Sequence, residues 1–405
     1  MVKIRAVTVG IDLRGPEVQA GPLEAAARFL GQARAAFAAA GLEVQTTRVA
    51  GPTLAGLDAD GLHLLHFARW AADTERAASS AGIDYLALGR LPADACGVRL
   101  VAEQVAPVLA AGTLAFLSAD LLEPRTGLPS VAMAAACARA VRELAATTER
   151  GFGNLRFCAT AHCPPNIPFL PAAYHAGGAP RFSVAVQAAD VVLEALRGEA
   201  GMSASEDRLV AALESAAAPV ERVADRLSAA SGFAFVGIDL SPAPFPTDDV
   251  SIGGALEAGG VERFGAPGTL YLAALVTRAI RRTRLRRCGF SGLMLPVLED
   301  SVLARRMAER PSSLHELLVY SAVCGTGLDT VPLPGDVAEA ELAGVYLDVA
   351  ALSVALGGKP LTARLLPVPG ATAGDATTYE FAYFSNSRVP PVAGCGAAGV
   401  LARGQ

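Results

Sequence analysis

Short runs of branched and aromatic residues alternate with helical patterns along almost the whole chain, and this alternation limits the fold more than any other feature. KIRAVTVGIDL is followed by PLEAAARFLGQARAAFAAAG, whose apolar residues recur at helical spacing and stop at Gly41. LEVQTTRVA leads into a helix through LHLLHFARWAADTERAASSAG, IDYLALGRL into one through VRLVAEQVAPVLAAG, and TLAFLSADL into one through LPSVAMAAACARAVRELAATTE. NLRFCATAHC, GFAFVGIDLS, CGFSGLMLPV, LDTVPL, LTARLLPVPG and TYEFAYFS continue as strands, the last two with no helix between them. SEDRLVAALESAAAPVERVADRLSAASG, GTLYLAALVTRAIRR and VAEAELAGVYLDVAALSVALGG supply further helices. Such repetition requires crossover connections, and therefore a mostly parallel sheet covered on both faces, an α/β fold of about ten strands.

No low-complexity linker divides the 405 residues, so one large domain over 1–405 is expected. Charged residues make up 18% and hydrophobic ones 52%, with alanine prominent, which suits close helix packing. A net charge of −5 gives no overall attraction to nucleic acid or to anionic lipid. The longest apolar run, VAPVLAAGTLAFLSA, is shorter than the ~20 residues of a membrane span and contains Pro107 and Gly112, so it reads as a buried helix end feeding a strand. The N-terminus begins as a strand, without an apolar signal core. Seven cysteines without regular spacing fit reduced thiols, and a cytoplasmic protein is expected.

Polar residues gather at the carboxyl ends of four expected strands, where ligands of parallel α/β sheets bind. They are Asp239, the pair Glu299 and Asp300, His162 with His175, and Asp336. Each carboxylate has an ordinary alternative as a turn or helix N-cap residue. Cys158, Thr160 and His162 are expected on one strand face and Cys163 on the other, which argues against a zinc site built from them. His63, His66 and His315 lie on helical patterns as surface or packing residues. The run RAIRRTRLRR, 278–287, holds six arginines and reads as a solvated helix end or a subunit contact. No strand–GxGxxG–helix unit is present, so there is no nucleotide fingerprint.

SAVCGTGLDTVPLPGD, 321–336, sets a thiol and a carboxylate on either side of a Gly-Thr-Gly turn. Cys324 is the nucleophile candidate, with a buried small hydrophobe as the alternative. At least one of Gly325 and Gly327 is expected at positive φ, with Cys324 lining a pocket that His175, Glu299 or Asp329 also reaches. Pro332 and Pro334 are expected to end strand pairing.

Several of these stretches together carry a resemblance. NLRFCATAHCPPNIPFLPAAYH, FSVAVQAADVV, GFAFVGIDLSPAPFP with SIGGALE, GFSGLMLPVLEDSVLARR, YSAVCGTGLDTVPLPGD and KPLTARLLPVPG, in this order over about residues 150 to 370, resemble the DUF711 or UPF0210 family. That resemblance implies a fold similar to the pyruvate formate-lyase type of glycyl-radical enzyme. Such a fold is a ten-stranded α/β barrel of two five-stranded parallel halves, antiparallel to each other and surrounded by helices, with loops entering its centre. The C-terminal SNSRVPPVAGCGAAGV lacks the radical glycine pattern, so radical chemistry is not expected.

The leading expectation is an enzyme acting on a small molecule in the barrel interior. Cys324, Asp329, His175, Glu299 and Asp300 are its catalytic candidates, and His162, Asp239, Ser251, Gly325, Thr326 and Gly327 its substrate-binding candidates. An alternative places Mg²⁺, Mn²⁺ or Ca²⁺ among Asp239, Asp248, Glu299 and Asp300, since oxygen-rich, histidine-poor groups suit hard cations. A third is a ligand-sensing or regulatory homo-oligomer without turnover.

Overall fold

The computed structural model describes residues 2–13, 20–55, 66–198, 201–310, 313–392, 394 and 396–403. The expected surface role of His63 falls outside these residues, as do Ala393 and Cys395 of the C-terminal stretch.

Nine strands form one sheet: β1 Lys3–Gly10, β2 Val44–Ala50, β3 Tyr85–Leu91, β4 Ala115–Asp120, β5 Phe157–Ala161, β6 Arg181–Gln187, β7 Ala234–Ala243, β8 Gly327–Pro334 and β9 Leu361–Val368. Their order is β7-β6-β1-β2-β3-β4-β5-β9-β8. β1 to β5 are parallel throughout. β6 and β9 flank this group antiparallel to β1 and β5. Each carries a parallel outer neighbour, β7 on β6 and β8 on β9. The mixed α/β sheet is therefore mostly parallel, and its strands are apolar on both faces, as parallel strands under helices must be.

Helices Ala20–Ala39, Phe67–Ser80, Ala95–Ala111 and Val131–Thr147 return the chain between successive parallel strands. They bury rows such as Leu23, Ala26, Leu30 and Ala33 at helical spacing. VAPVLAAGTLAFLSA is the end of one of these helices and the start of β4, and no helix among the described residues is long and apolar enough to cross a membrane.

Two expected strands do not form. CGFSGLMLPV runs irregularly between the two sheet edges and touches each by an isolated bridge, Arg287 with Ile238 of β7 and Pro296 with Asp329 of β8. Gly289 and Ser291 take φ of 63° and 39°, and the Asp239 carboxylate accepts the amides of Phe290 and Ser291, so the backbone groups a ladder would use bond a side chain instead. TYEFAYFS is also irregular, with the Asn386 side-chain amide accepting from the Tyr379 amide and donating to the Tyr379 carbonyl. The hydrogen-bonded sheet thus has nine strands and two edges. Pro332 does not end pairing: β8 continues beside β9 to Pro334, its last paired residue, which a proline permits because β8 is an edge strand.

Candidate functional site

A cavity of about 230 Å³ lies against the sheet, lined by side chains from its strands. Strands from both flanks of the sheet reach it: Arg5 from β1, Arg48 from β2, Tyr85 from β3, Cys158 from β5, Asp329 from β8 and Arg364 from β9. Alternation along a strand puts residues two apart on one face, which is why Thr46 accompanies Arg48 and Thr362 accompanies Arg364. The irregular segment after β7 contributes Phe290, Met294 and Glu299, and a C-terminal loop covers the space with Phe381 and Tyr383.

Charged groups here form a chain. Arg364 Nε donates to Asp329 Oδ1 at 2.7 Å and its Nη2 to Glu299 Oε1 at 2.7 Å. The other Glu299 oxygen accepts from Arg5 Nη2 at 3.3 Å. Arg5 also lies 4.7 Å from the Tyr383 ring centre. Glu299 reaches β8 because Val297 donates its amide to the Asp329 carbonyl, which clips the irregular segment to that strand. Burial raises the Asp329 pKa; Arg364 opposes the shift, and the nearby Glu299 adds to it. Burial works against the charge of Arg364, but Asp329 and then Glu299 outweigh it and its pKa rises.

Arg48 differs from the other two. It is 8% exposed, and among the described residues its one hydrogen bond is from Nε to Thr46 Oγ1 at 3.0 Å. Burial, and then the charge of Arg5, bring its pKa down to about 9. Thr326 Oγ1 is a second unsatisfied group, buried beside the cavity with no hydrogen-bond partner. The site combines two carboxylates on one guanidinium, a second guanidinium with free donors, and largely apolar walls.

Of the expected site residues, Asp329, Glu299 and Thr326 line this cavity and the others do not. Cys324 is fully buried in the main hydrophobic core, where its sulfur accepts the Gly327 amide at 3.3 Å. Gly327 has φ 98°, as expected of one glycine in this turn. Gly325 serves another purpose: a Cβ there would lie 2.6 Å from the Gly292 backbone, so the turn crosses the irregular segment where only glycine fits. His175 is buried against Gly10, with Nδ1 3.4 Å from Asn166 Oδ1. His162 adopts φ 52°, which ends the alternation of β5, so it does not continue the face of Cys158; its Nδ1 meets Ser353 Oγ at 2.8 Å.

The proposed metal ligands do not converge. Asp300 caps the helix Ser301–Glu309 through Val302 and Leu303, and also accepts Ser251 Oγ and the amides of Ile252 and Gly253. Ser251 in turn caps the helix Ile252–Ala258. Asp239 is spent on amides, and Asp248 pairs with Arg305 on the surface. Among the described residues no three His, Cys, Asp or Glu side chains group as metal ligands. Asp336 is an exposed turn residue. Four of the six arginines of 278–287 pair within the chain, Arg278 and Arg282 with Glu206, Arg284 with Glu214, and Arg286 with Asp225, all on the helix Met202–Ser231.

Comparison with known proteins gives the same picture along the chain. A UPF0210 protein of Pyrobaculum arsenaticum is 38% identical over 228 residues, covering 54% of this chain and 51% of that protein. One of Methanopyrus kandleri is 34% identical over 255 residues, 59% of this chain and 54% of its own length. One of Pelobacter propionicus is 29% identical over 409 residues, 93% of this chain and 87% of its own length. The chain thus spans about half the length of the archaeal relatives and most of the bacterial one. The family described as uncharacterised ACR (DUF711) matches residues 1–381, and the chain belongs to it.

Proposed function

We propose that the protein is an enzyme that moves a proton to or from a small molecule held in the cavity, with Asp329 as the group that carries the proton. The observation behind this reading is the Asp329–Arg364–Glu299 arrangement: two carboxylates share one guanidinium beside a largely apolar cavity. Such sharing makes the proton affinity of one carboxylate depend on the charge of the other, as acid–base catalysis near neutral pH requires. Arg364 positions Asp329 and supports its charge, and Glu299 tunes it. Cys158 lines the same cavity, but burial holds its thiol protonated, so it is assigned no nucleophilic role.

The reading includes a closed barrel of the kind the resemblance implies. In it, 287–297 stands in the place of a tenth strand between β7 and β8, and the ligand sits inside. The bridges at Arg287 and Pro296 support that closure. Six free cysteines among the described residues favour a reducing compartment and hence the cytoplasm. A homo-oligomer remains part of the proposal, without the arginine run as its contact.

The test begins with mass spectrometry of small molecules released when the purified protein is denatured. The compound found is then returned to fresh wild-type protein and to Asp329→Asn. Conversion by the wild type, slowed about 10²- to 10⁴-fold in Asp329→Asn, is expected. Equal rates would remove Asp329 from the chemistry. A compound recovered unchanged after long incubation with the wild type would make the protein a binding protein.

A further inference from the structure

Arg48 lies within the cavity of the proposed reaction, yet none of that chemistry uses it. Its Nε is committed to Thr46 Oγ1, and the Thr46 hydroxyl donates in turn to the Arg5 carbonyl at 2.8 Å, so the guanidinium is fixed from its inner edge. Among the described residues the two terminal nitrogens make no hydrogen bond and no carboxylate pairs with them. The Tyr85 ring centre lies 5.7 Å from the guanidinium carbon, but no anion pairs with this buried cation, and a guanidinium held by Nε presents its remaining donors end-on, as a parallel fork. Two syn oxygens of one anion fit such a fork.

Charge and wall chemistry narrow the anion. Arg5, Arg48 and Arg364 face Glu299 and Asp329 across the cavity, which leaves one positive charge uncompensated when both carboxylates are ionised. Arg156 also borders the space, but its guanidinium donates to the carbonyls of Leu109 and Ala115, and Glu75 supports its charge. Phe116, Phe169, Phe290, Met294 and Phe381 make the rest of the wall apolar. We infer that Arg48 is the anchor of a substrate subsite for a small organic monocarboxylate with an apolar body, whose carboxylate takes the two terminal nitrogens of Arg48 end-on. This deepens the function proposed above and rests on the cavity being the ligand site.

Binding can be measured without turnover, by calorimetry with phenylacetate, its neutral twin phenylacetamide, acetate and inorganic phosphate. The wild-type protein is expected to bind phenylacetate about 10- to 100-fold more tightly than phenylacetamide, the difference a charge-assisted hydrogen bond makes. Acetate should bind more weakly for lack of a body. In Arg48→Met the acid and the amide should bind alike, while Arg48→Lys keeps part of the preference. Asp329→Asn, which removes a negative charge from the cavity, should keep or raise it, so a failure of the proton-transfer reading leaves this assignment standing. The inference is overturned if the wild type binds the amide as well as the acid, prefers phosphate, or binds no phenylacetate at millimolar concentration. It is also overturned if a folded Arg48→Met retains the preference. The wild-type comparison of acid with amide decides the matter even if that variant does not fold.

Discussion

Replacing Arg364 with methionine removes the one cation that holds Asp329 and Glu299 together while keeping most of the side chain's volume. The three side chains are 10%, 13% and 15% exposed, so little water can take over the lost contacts. Breaking a buried pair by deleting one partner costs about 3–5 kcal/mol, and that loss is expected near pH 8, where both carboxylates are ionised. The pH dependence follows from Asp329, whose folded pKa already lies above its unfolded value. The native state then binds the proton more tightly than the unfolded chain does, so the stability this carboxyl contributes is full at low pH and falls as pH rises through the folded pKa. Without Arg364, which lowers it, that pKa rises further, and the fall moves to higher pH. Each pH unit over which one extra proton is held is worth about 1.4 kcal/mol. The penalty of Arg364→Met should therefore shrink by about 1–3 kcal/mol between pH 8 and pH 5.5. Urea unfolding of both proteins at the two pH values, followed by circular dichroism, measures it. Asp239 and Asp300 are also raised by burial but are common to both proteins, so they cancel in the difference. An equal penalty at both pH values, or a double variant Arg364→Met/Asp329→Asn no more stable than Arg364→Met at pH 8, would refute the argument.

Asp300→Ala should lower stability by about 3–5 kcal/mol in a thermal melt, because it leaves the starts of two helices and the Ser251 hydroxyl without their shared acceptor. Asp300→Asn, which keeps one acceptor oxygen, should lose less; an unaffected melting temperature in Asp300→Ala would contradict the capping role. Cys324→Ala should cost about 1 kcal/mol and leave phenylacetate binding unchanged, since the thiol lies in the core and does not border the cavity. A variant that folds but no longer binds would return Cys324 to the site.

Much of the fold was legible because it is written in periodicity. Strand–helix repetition locates β1 to β5 and their helices, and LDTVPL and LTARLLPVPG are indeed the neighbouring strands β8 and β9. The strand β6, Arg181–Gln187, was not among those expected, and the two expected strands that do not form share a cause. CGFSGLMLPV and TYEFAYFS have the composition of strands, but a side chain from elsewhere, Asp239 in one case and Asn386 in the other, takes the backbone groups that a ladder needs. Nothing within either stretch announces such a partner. Strand carboxyl ends do not mark the cavity, for a topological reason. Because β8 and β9 run opposite to β5, the cavity meets some strands near their starts and others further along, and no rule for a single rim locates it.

The carboxylates Asp329 and Glu299 stood out because acidic residues beside glycines and strand ends attract notice, yet the arginines determine what the cavity can hold. Their signal was present in KIRAV, QTTRVA and LTARLL, three apolar strands that each carry one arginine. A buried strand tolerates a guanidinium only where its charge is met, so three such strands in one sheet imply a polar interior rather than a packed one. Two of these charges are met by Glu299 and Asp329. The third, Arg48, meets the Thr46 hydroxyl and the Tyr85 ring but no carboxylate among the described residues, and it borders the cavity. The carboxylate inferred above for the Arg48 subsite is the charge that completes this balance.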